Sequence, residues 1–190
     1  MSGDRSDHQC ARYDRGVRAV RFALSALCMA IAACTPQVAR CDLSVTRDLT
    51  FTSADAQESV TASVSGVSCD KTIALYAIHD ADGVPIWSWT SPTPRAFGEV
   101  FAANDREHVQ AFLERWATPT LSTTQHATEW RLLAPGQTTL DQLTYEDVRD
   151  RDLPMLCHFS GTARETCVFW EPAAGGAGHL LDRDVEEQDL

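Results

Sequence analysis

The feature that most constrains the fold is a pair of runs rich in strand-forming residues, 72–79 and 84–90, which flank Asp-Ala-Asp-Gly at 80–83. An Asp-Gly pair between two such runs favours a type I′ turn, which places Asp82 and Gly83 at the tip of a β-hairpin. Strands joined by so short a turn are antiparallel. The sequence therefore predicts an antiparallel sheet that contains this hairpin.

The register of this hairpin sorts its side chains onto two faces. Ile78 is expected to face Trp87, and Tyr76 to face Trp89, because a strand alternates its side chains between the two faces of a sheet. One face gathers these four residues, and the other face is also apolar: Ile73, Leu75, Ala77 and Ile86. A strand pair that is apolar on both faces is expected at the centre of a fold, covered on both sides.

The aromatic side chains of this hairpin, Tyr76, Trp87 and Trp89, have two interpretations. Aromatics on a sheet can bind a sugar or anchor a protein partner. They can also be core residues, covered by a helix that carries Phe112 and Trp116 on one stripe. We expect the core role and keep these three residues as the candidate binding face.

Two helices are expected. Asn104, followed three residues later by Glu107, is close to a capping box and opens a main helix at about 104–117. Four apolar residues at helical spacing give this helix one apolar stripe: Val109, Phe112, Leu113 and Trp116. A second cap-like pattern around Thr144 indicates a short polar helix at about 139–150.

The N-terminal segment has the pattern of an export signal. Four arginines between residues 12 and 21 precede an uncharged stretch that runs to residue 39, with a strongly apolar core at 22–33. A basic flank, a short apolar stretch and small residues are typical of a secretory signal. The apolar core has 12 residues, whereas a helix that spans a bilayer needs roughly 20. A transmembrane anchor is therefore the weaker alternative.

The end of this stretch, Ile-Ala-Ala-Cys at 31–34, resembles the lipobox of bacterial lipoproteins, and the resemblance covers residues 12–34. It implies that Cys34 is acylated, that Cys34 is the mature N-terminus, and that several acyl chains give durable anchoring. Thr35, rather than Asp, follows the cysteine, which implies the outer membrane with the domain facing the periplasm. An ordinary cleaved signal, the inner membrane and the cell surface stay open as alternatives. Beyond Cys34 no sequence motif identifies a family.

The charge balance excludes one class of partner. Residues 34–190 carry 11 of the 16 basic residues and 24 of the 27 acidic residues, a formal net charge of −13. Nucleic acid requires basic patches that release counterions, so nucleic acid is not an expected partner. The expected partners are the membrane, through the lipid on Cys34, and an envelope protein or cell-wall component. A cationic partner fits the charge.

Four cysteines remain once Cys34 carries lipid and the signal is removed: Cys41, Cys69, Cys157 and Cys167. An even number in an oxidising compartment indicates two disulfides, with three connectivities. The runs 155–160 and 165–170 predict a second hairpin that Cys157 and Cys167 flank. We expect these two to pair, which leaves the first two cysteines with each other. Free buried thiols are the alternative.

These segments define the expected layout. Residues 1–33 are the signal peptide, 34–46 a tether, 47–181 a single globular domain and 182–190 a disordered acidic tail. The fold class is α+β: an antiparallel β-sheet of about five to seven strands with the main helix and the short helix.

Sequence motifs for catalysis or metal binding are lacking. The chain has no GxSxG elbow, no Walker A motif, and no CxxC or HxxxH pair. Cys157 and His158 are adjacent, so on a strand they point to opposite faces and do not suit a nucleophile–base pair. The acidic residues at 146–152 are typical of a solvated face. We expect no catalytic residue, no cofactor and no metal.

Three functional hypotheses remain. The leading one is a membrane-anchored periplasmic lipoprotein with a non-catalytic binding or structural role in the envelope. The first alternative is an inhibitor of a cell-wall hydrolase, since the chain is similar in anchor, size, disulfides and acidic charge to small lipoproteins that block lysozyme. The second alternative is a periplasmic enzyme whose site is assembled from distant residues. An exposed loop carrying acids would favour the inhibitor, and a pocket with a histidine, a carboxylate and a nucleophile would favour the enzyme.

Overall fold

The computed structural model describes residues 40–185, in which eight strands form two four-stranded antiparallel sheets. The first sheet has the order β1-β2-β3-β4: Cys41–Leu49, Glu58–Gly66, Thr72–His79 and Pro85–Pro92. The second sheet has the order β5-β6-β7-β8: Thr120–Thr123, Pro154–Gly161, Arg164–Glu171 and Gly176–Asp184. The helices are α1, α2 and α3: Thr93–Ala96, Arg106–Trp116 and Gln142–Asp150. Three 3-10 helices cover Gly98–Phe101, Thr124–His126 and Trp130–Leu132.

The antiparallel strands and the helices agree with the predicted class, but the strand count and the sheet count do not. One sheet of five to seven strands is wrong, because the described residues form two sheets. The predicted signal peptide, Cys34 and residues 186–190 lie outside the described residues. Among the described helices, none is both long and apolar enough to cross a membrane.

Two predicted domain boundaries are also wrong. The sequence predicts a tether at 34–46, but residues 41–46 form the first part of β1. It predicts a disordered tail at 182–190, but residues 182–184 end β8. Both segments are polar, but each pairs with a neighbouring strand: β1 with β2, and β8 with β7. This backbone pairing outweighs the low strand propensity of a polar composition.

The first sheet has one buried face and one solvated face. Along β2, Val60, Ala62 and Val64 are buried, while the serines and threonine between them point outward. On β3, however, the outward Ile73 and Leu75 are 50% and 41% exposed. The prediction that the β3–β4 hairpin is covered on both sides is therefore wrong at these two residues. The helices and the second sheet pack on the inner face only.

The facing pairs of the β3–β4 hairpin are confirmed. Tyr76 pairs with Trp89, and Ile78 pairs with Trp87. All four side chains lie on the inner face of the first sheet, where they belong to or pack against the main core. The period-two pattern of a strand fixes this assignment, since one residue of slippage would have turned them outward.

The turn of this hairpin differs from the prediction. The amide of Gly83 donates to the carbonyl of Asp80 at 3.0 Å, and the amide of Asp80 donates to the carbonyl of Val84 at 2.9 Å. Three residues, 81–83, therefore form the loop, with Gly83 at a φ of 79° that glycine adopts without strain. A register shift directly after Ile78 compensates for the extra loop residue and restores the predicted pairs.

The second hairpin, β6–β7, shows a similar difference. Cys157 faces Cys167 as predicted, and their disulfide is present. The predicted runs end at residue 160 and resume at 165, but the register shifts before Gly161, and Gly161 pairs with Arg164. The loop therefore has only two residues, Thr162 and Ala163.

Both predicted helices are present with different caps. The carboxylate of Asp105, not Asn104, accepts hydrogen bonds from the first-turn amides of α2. Asn104 instead adopts a φ of 52°, and its side-chain oxygen accepts the amide of Cys69 at 2.6 Å. Asp141, not Thr144, caps α3. An aspartate or asparagine near a helix start suits either role, so sequence spacing alone does not choose between them.

Two cores hold these layers together. The main core lies between the inner face of the first sheet, α2 and one face of the second sheet: Tyr76, Phe112, Leu113, Trp116, Leu156 and Val168. The other face of the second sheet packs against α3, with Tyr145 and Val148 buried there. The second disulfide, Cys41–Cys69, joins the start of β1 to the β2–β3 turn, as predicted. The closed loops of both disulfides predict a stabilisation of about 3 kcal/mol each.

Candidate functional site

The aromatic residues that formed the candidate binding face lie against the main core. Tyr76 is fully buried, with ring centroids 5.2 Å from Trp116 and 4.1 Å from His158. Trp87 and Trp89 are half-buried and pack against the same core. Tyr76 thus offers no surface to a ligand, which agrees with the core role that we expected. The apolar stripe of α2 is predicted to cover this face, and Trp116 makes that contact.

His158 is a buried, neutral histidine in this core. Its Nε2 accepts the indole N–H of Trp87 at 3.4 Å, and its Nδ1 lies 2.9 Å from the carbonyl oxygen of Phe159. Burial lowers the pKa of His158 to about 4, although the Phe159 carbonyl and the charge of Asp182 oppose this shift. Both ring nitrogens are engaged, so His158 is held in one tautomer in the core.

A cleft of about 830 Å³ opens beside this core. Its walls come from β1, the C-terminal half of α2, the residues that lead into β5, the middle of β6, the start of β7 and the end of β8. Three arginines and two glutamates line it: Arg47, Arg115, Arg183, Glu114 and Glu165. We call it the arginine cleft.

Local structure places each arginine in the cleft for a different reason. Arg47 follows Leu43 and Val45 at the inward positions of β1, where the sheet face reaches the open end of the core. Arg115 lies in the last turn of α2, where a cation interacts favourably with the helix dipole. Arg183 on β8 lies directly opposite Glu165 on β7.

Glu165 and Arg183 form a partly buried ion pair at one end of the cleft. The Nε and Nη2 atoms of Arg183 donate to Oε2 of Glu165 at 2.9 and 2.7 Å. The side chain of Glu165 is 8% exposed, so its charge requires a partner of this kind. The pair fixes the guanidinium of Arg183 in the cleft wall.

The other two arginines are exposed and lack such a partner. Five arginines form ion pairs with carboxylates in the part of the chain that the structure describes: Arg40, Arg131, Arg151, Arg164 and Arg183. Within residues 40–185, Arg47 and Arg115 form no ion pair. Two unpaired guanidinium groups in one cleft, in a chain with a formal net charge of −11, form a local positive site.

Cys157 and Glu165 in the cleft wall both have structural partners. Cys157 is joined to Cys167 by a disulfide, so its sulfur is not a free thiolate. Three possible ligand atoms lie within 4.8 Å of one another, a spacing that would suit a metal ion: the Sγ atoms of Cys157 and Cys167 and a carboxylate oxygen of Glu165. The disulfide and the Arg183 pair account for all three side chains, so this cluster is not a candidate metal centre.

A second cleft, of about 670 Å³, lies between the β1–β2 loop and the β3–β4 turn. Asp48, Glu58 and Asp80 contribute to its lining. Glu58 accepts the backbone amides of Phe51 and Thr52 at 2.6 and 3.0 Å, so its carboxylate holds the loop. Asp80 likewise accepts two amides of its own turn. Two of these three acids therefore stabilise loops.

No family model, no curated protein and no solved structure matches this chain.

Sequence reasoning missed the arginine cleft. Its charged residues come from β1, α2, β7 and β8, which are far apart in the chain. One signal was present in the sequence: Arg47 follows Leu43 and Val45 with period two and precedes Leu49 in the same series. A charged residue at an inward position of a strand indicates either an ion pair or a site open to solvent.

Proposed function

We propose that this chain is a membrane-anchored periplasmic lipoprotein that binds an envelope component in the arginine cleft without catalysing a reaction. The observation that carries the proposal is a cleft of about 830 Å³ with two exposed arginines, Arg47 and Arg115, that form no ion pair with any residue of 40–185. Ligand sites are commonly clefts of about 300–1,000 Å³ with a few convergent polar groups.

A binding role is favoured over an enzymatic one by the groups that the cleft offers. A nucleophilic mechanism requires a free nucleophile next to a base. Cys157 is in a disulfide, and both ring nitrogens of His158 are engaged in the core. The arginines that remain are suited to holding a ligand by charge-assisted hydrogen bonds.

The anchor is the second part of the proposal. If Cys34 is acylated, it lies seven positions before Cys41, where β1 begins and a disulfide fixes the chain. A fully extended chain of that length spans about 25 Å at most. The domain would therefore stay close to the membrane surface and meet ligands there.

The test is crosslinking from defined positions in the cell envelope. A photoreactive amino acid at Thr118, an exposed residue that lines the cleft, is expected to give adducts with an envelope component. The same amino acid at Leu143, 81% exposed on α3 and outside the cleft, is the matched control. Adducts of equal yield and identity at both positions, or none at Thr118, would contradict binding in the cleft.

A hydrolase inhibitor is the second candidate, and one observation favours it. The β3–β4 turn is an exposed loop that carries Asp82 and lies beside the acid-lined second cleft. A cationic hydrolase such as lysozyme would be attracted to this end of the domain. Addition of the chain should then slow lysozyme, and Asp82→Asn should weaken the inhibition more than Asp150→Asn on α3. Lysozyme turnover unchanged by the chain would exclude this candidate.

A further inference from the structure

We infer that the arginine cleft recognises a ligand through a single carboxylate group held by Arg47 and Arg115. This inference rests on the proposed binding role of the cleft and names the chemistry of what it binds. It concerns ligands with one carboxylate next to a small uncharged or apolar part.

The first step is the geometry of the guanidinium group. Arginine presents its N–H groups in a planar fork that matches the two oxygens of a carboxylate. Within the described residues five arginines have a carboxylate of this chain as partner and five do not, and of the latter Arg47 and Arg115 line the arginine cleft. Both line the same cleft, and the inference requires that one external carboxylate reaches both of them.

The second step is the charge of the whole cleft, which separates a carboxylate from a phosphate. Arg47, Arg115 and Arg183 bring three positive charges, and Glu114 and Glu165 bring two negative charges. The balance is one positive charge, which a monoanion neutralises. A phosphate dianion would exceed this balance, and the two glutamates would repel it.

The third step is the apolar part of the wall. Pro119 and the half-buried Phe159 line the cleft together with Trp116, whose indole N–H already donates to the carbonyl of Phe159 at 2.8 Å. Pro119 and Phe159 offer apolar contact, and the indole N–H of the buried Trp116 is not a free donor. A ligand of small size that carries an apolar group beside its carboxylate fits this combination.

The experiment uses the full chain in detergent micelles, labelled with ¹⁵N, at constant ionic strength. The probes are N-acetylalanine, its amide (which lacks the carboxylate) and inorganic phosphate. The indole N–H signal of Trp116 reports on the cleft, and that of Trp130, which packs against Tyr145 in the second core, is the internal control. N-acetylalanine should give a saturable shift of the Trp116 signal only, the amide none, and phosphate a weaker response.

Three substitutions test the assignment to the two arginines. Arg47→Gln and Arg115→Gln should each weaken the affinity for N-acetylalanine by about tenfold or more, since a hydrogen bond to a charged group is lost. Arg95→Gln makes the same charge change at an exposed residue of α1 outside the cleft and should leave the affinity unchanged. Thermal melting of each variant checks that it is folded.

Several results would overturn the inference. An equal response to N-acetylalanine and its amide would show that the cleft does not recognise the carboxylate. Tighter binding of phosphate would assign the cleft to phosphorylated ligands, and equal weakening by Arg95→Gln would reduce the effect to net charge. If Thr118 crosslinks to an envelope component but N-acetylalanine does not bind, the carboxylate assignment fails and the binding role stands. Saturable binding of N-acetylalanine without crosslinks from Thr118 would instead contradict the proposed role in the envelope and leave the carboxylate assignment standing.

Discussion

The ring of Tyr76 stacks on the ring of His158 with their centroids 4.1 Å apart and their planes 14° from parallel. Tyr76 lies on β3 of the first sheet, and His158 lies on β6 of the second, so this contact joins the two sheets across the main core. Both side chains are almost completely buried. The imidazole of His158 and the hydroxyl group of Tyr76 are therefore polar groups buried between the two sheets, and each leads to a prediction about stability.

Stability should depend on pH because of His158. Burial lowers its pKa from 6.5 to about 4 in the folded chain. Between these two values the unfolded chain binds a proton that the folded chain does not, so the free energy of unfolding falls as the pH is lowered through this window. The loss should reach about 3 kcal/mol near pH 4, and well above pH 6.5, where neither state binds the proton, this residue should contribute no slope.

Urea unfolding at several pH values measures this effect. His158→Gln keeps a polar side chain but removes the titrating group, and it should reduce the fall in stability between pH 6.5 and 4. His108→Gln changes an exposed histidine of α2 and is the matched control. Parallel pH curves for the native chain and the His158 variant would show that His158 does not cause the slope.

The hydroxyl groups of Tyr76 and Tyr145 predict opposite effects of the same substitution. Among the described residues Tyr76 Oη has no hydrogen-bond partner, and burial raises the pKa of Tyr76 well above its usual value. Tyr145 Oη donates to the carbonyl of Thr128 at 2.7 Å. Tyr76→Phe should therefore be neutral or stabilise the fold by about 1 kcal/mol, because it removes an unsatisfied buried group. Tyr145→Phe should destabilise it by about 1 kcal/mol.

Chemical denaturation of the two variants gives the comparison directly, because both substitutions remove one oxygen from a buried tyrosine. A loss of stability in Tyr76→Phe as large as that in Tyr145→Phe would mean that the Tyr76 hydroxyl has a partner, for example an ordered water.

The parts of the fold that follow from local patterns could be predicted from the sequence. The alternation of side chains along β3 and β4 predicts the pair Tyr76–Trp89, which the structure confirms. The position of Cys157 and Cys167 on facing strands of a hairpin predicts their disulfide, which is also present. The two bulges could not be predicted, since each compensates for a loop length that several turn types allow. The strand Thr120–Thr123 has a polar composition and becomes a strand only by pairing with β6.

The arginine cleft could not be predicted for a different reason. Its members meet only when the end of α2 and the strands β1, β7 and β8 are assembled. Arg47 is conspicuous in sequence because it breaks an inward apolar series, but Arg115 on the exposed surface of a helix is not. The pairing of Arg183 with Glu165 depends on the register of β8 with β7. A site built from non-local contacts requires the fold before it is visible.

The last prediction concerns the anchor, which the lipobox resemblance implies. Cys34→Ala should move the protein from the membrane fraction to the soluble periplasmic fraction and abolish labelling with a fatty acid, because acylation requires the thiol. Cys28→Ala, a matched substitution inside the apolar run, should leave both properties unchanged. Neither position lies within the described residues 40–185, so the thermal melting of the domain should be the same in both variants. Membrane retention with unchanged mass and lipid labelling in Cys34→Ala would contradict the lipoprotein proposal.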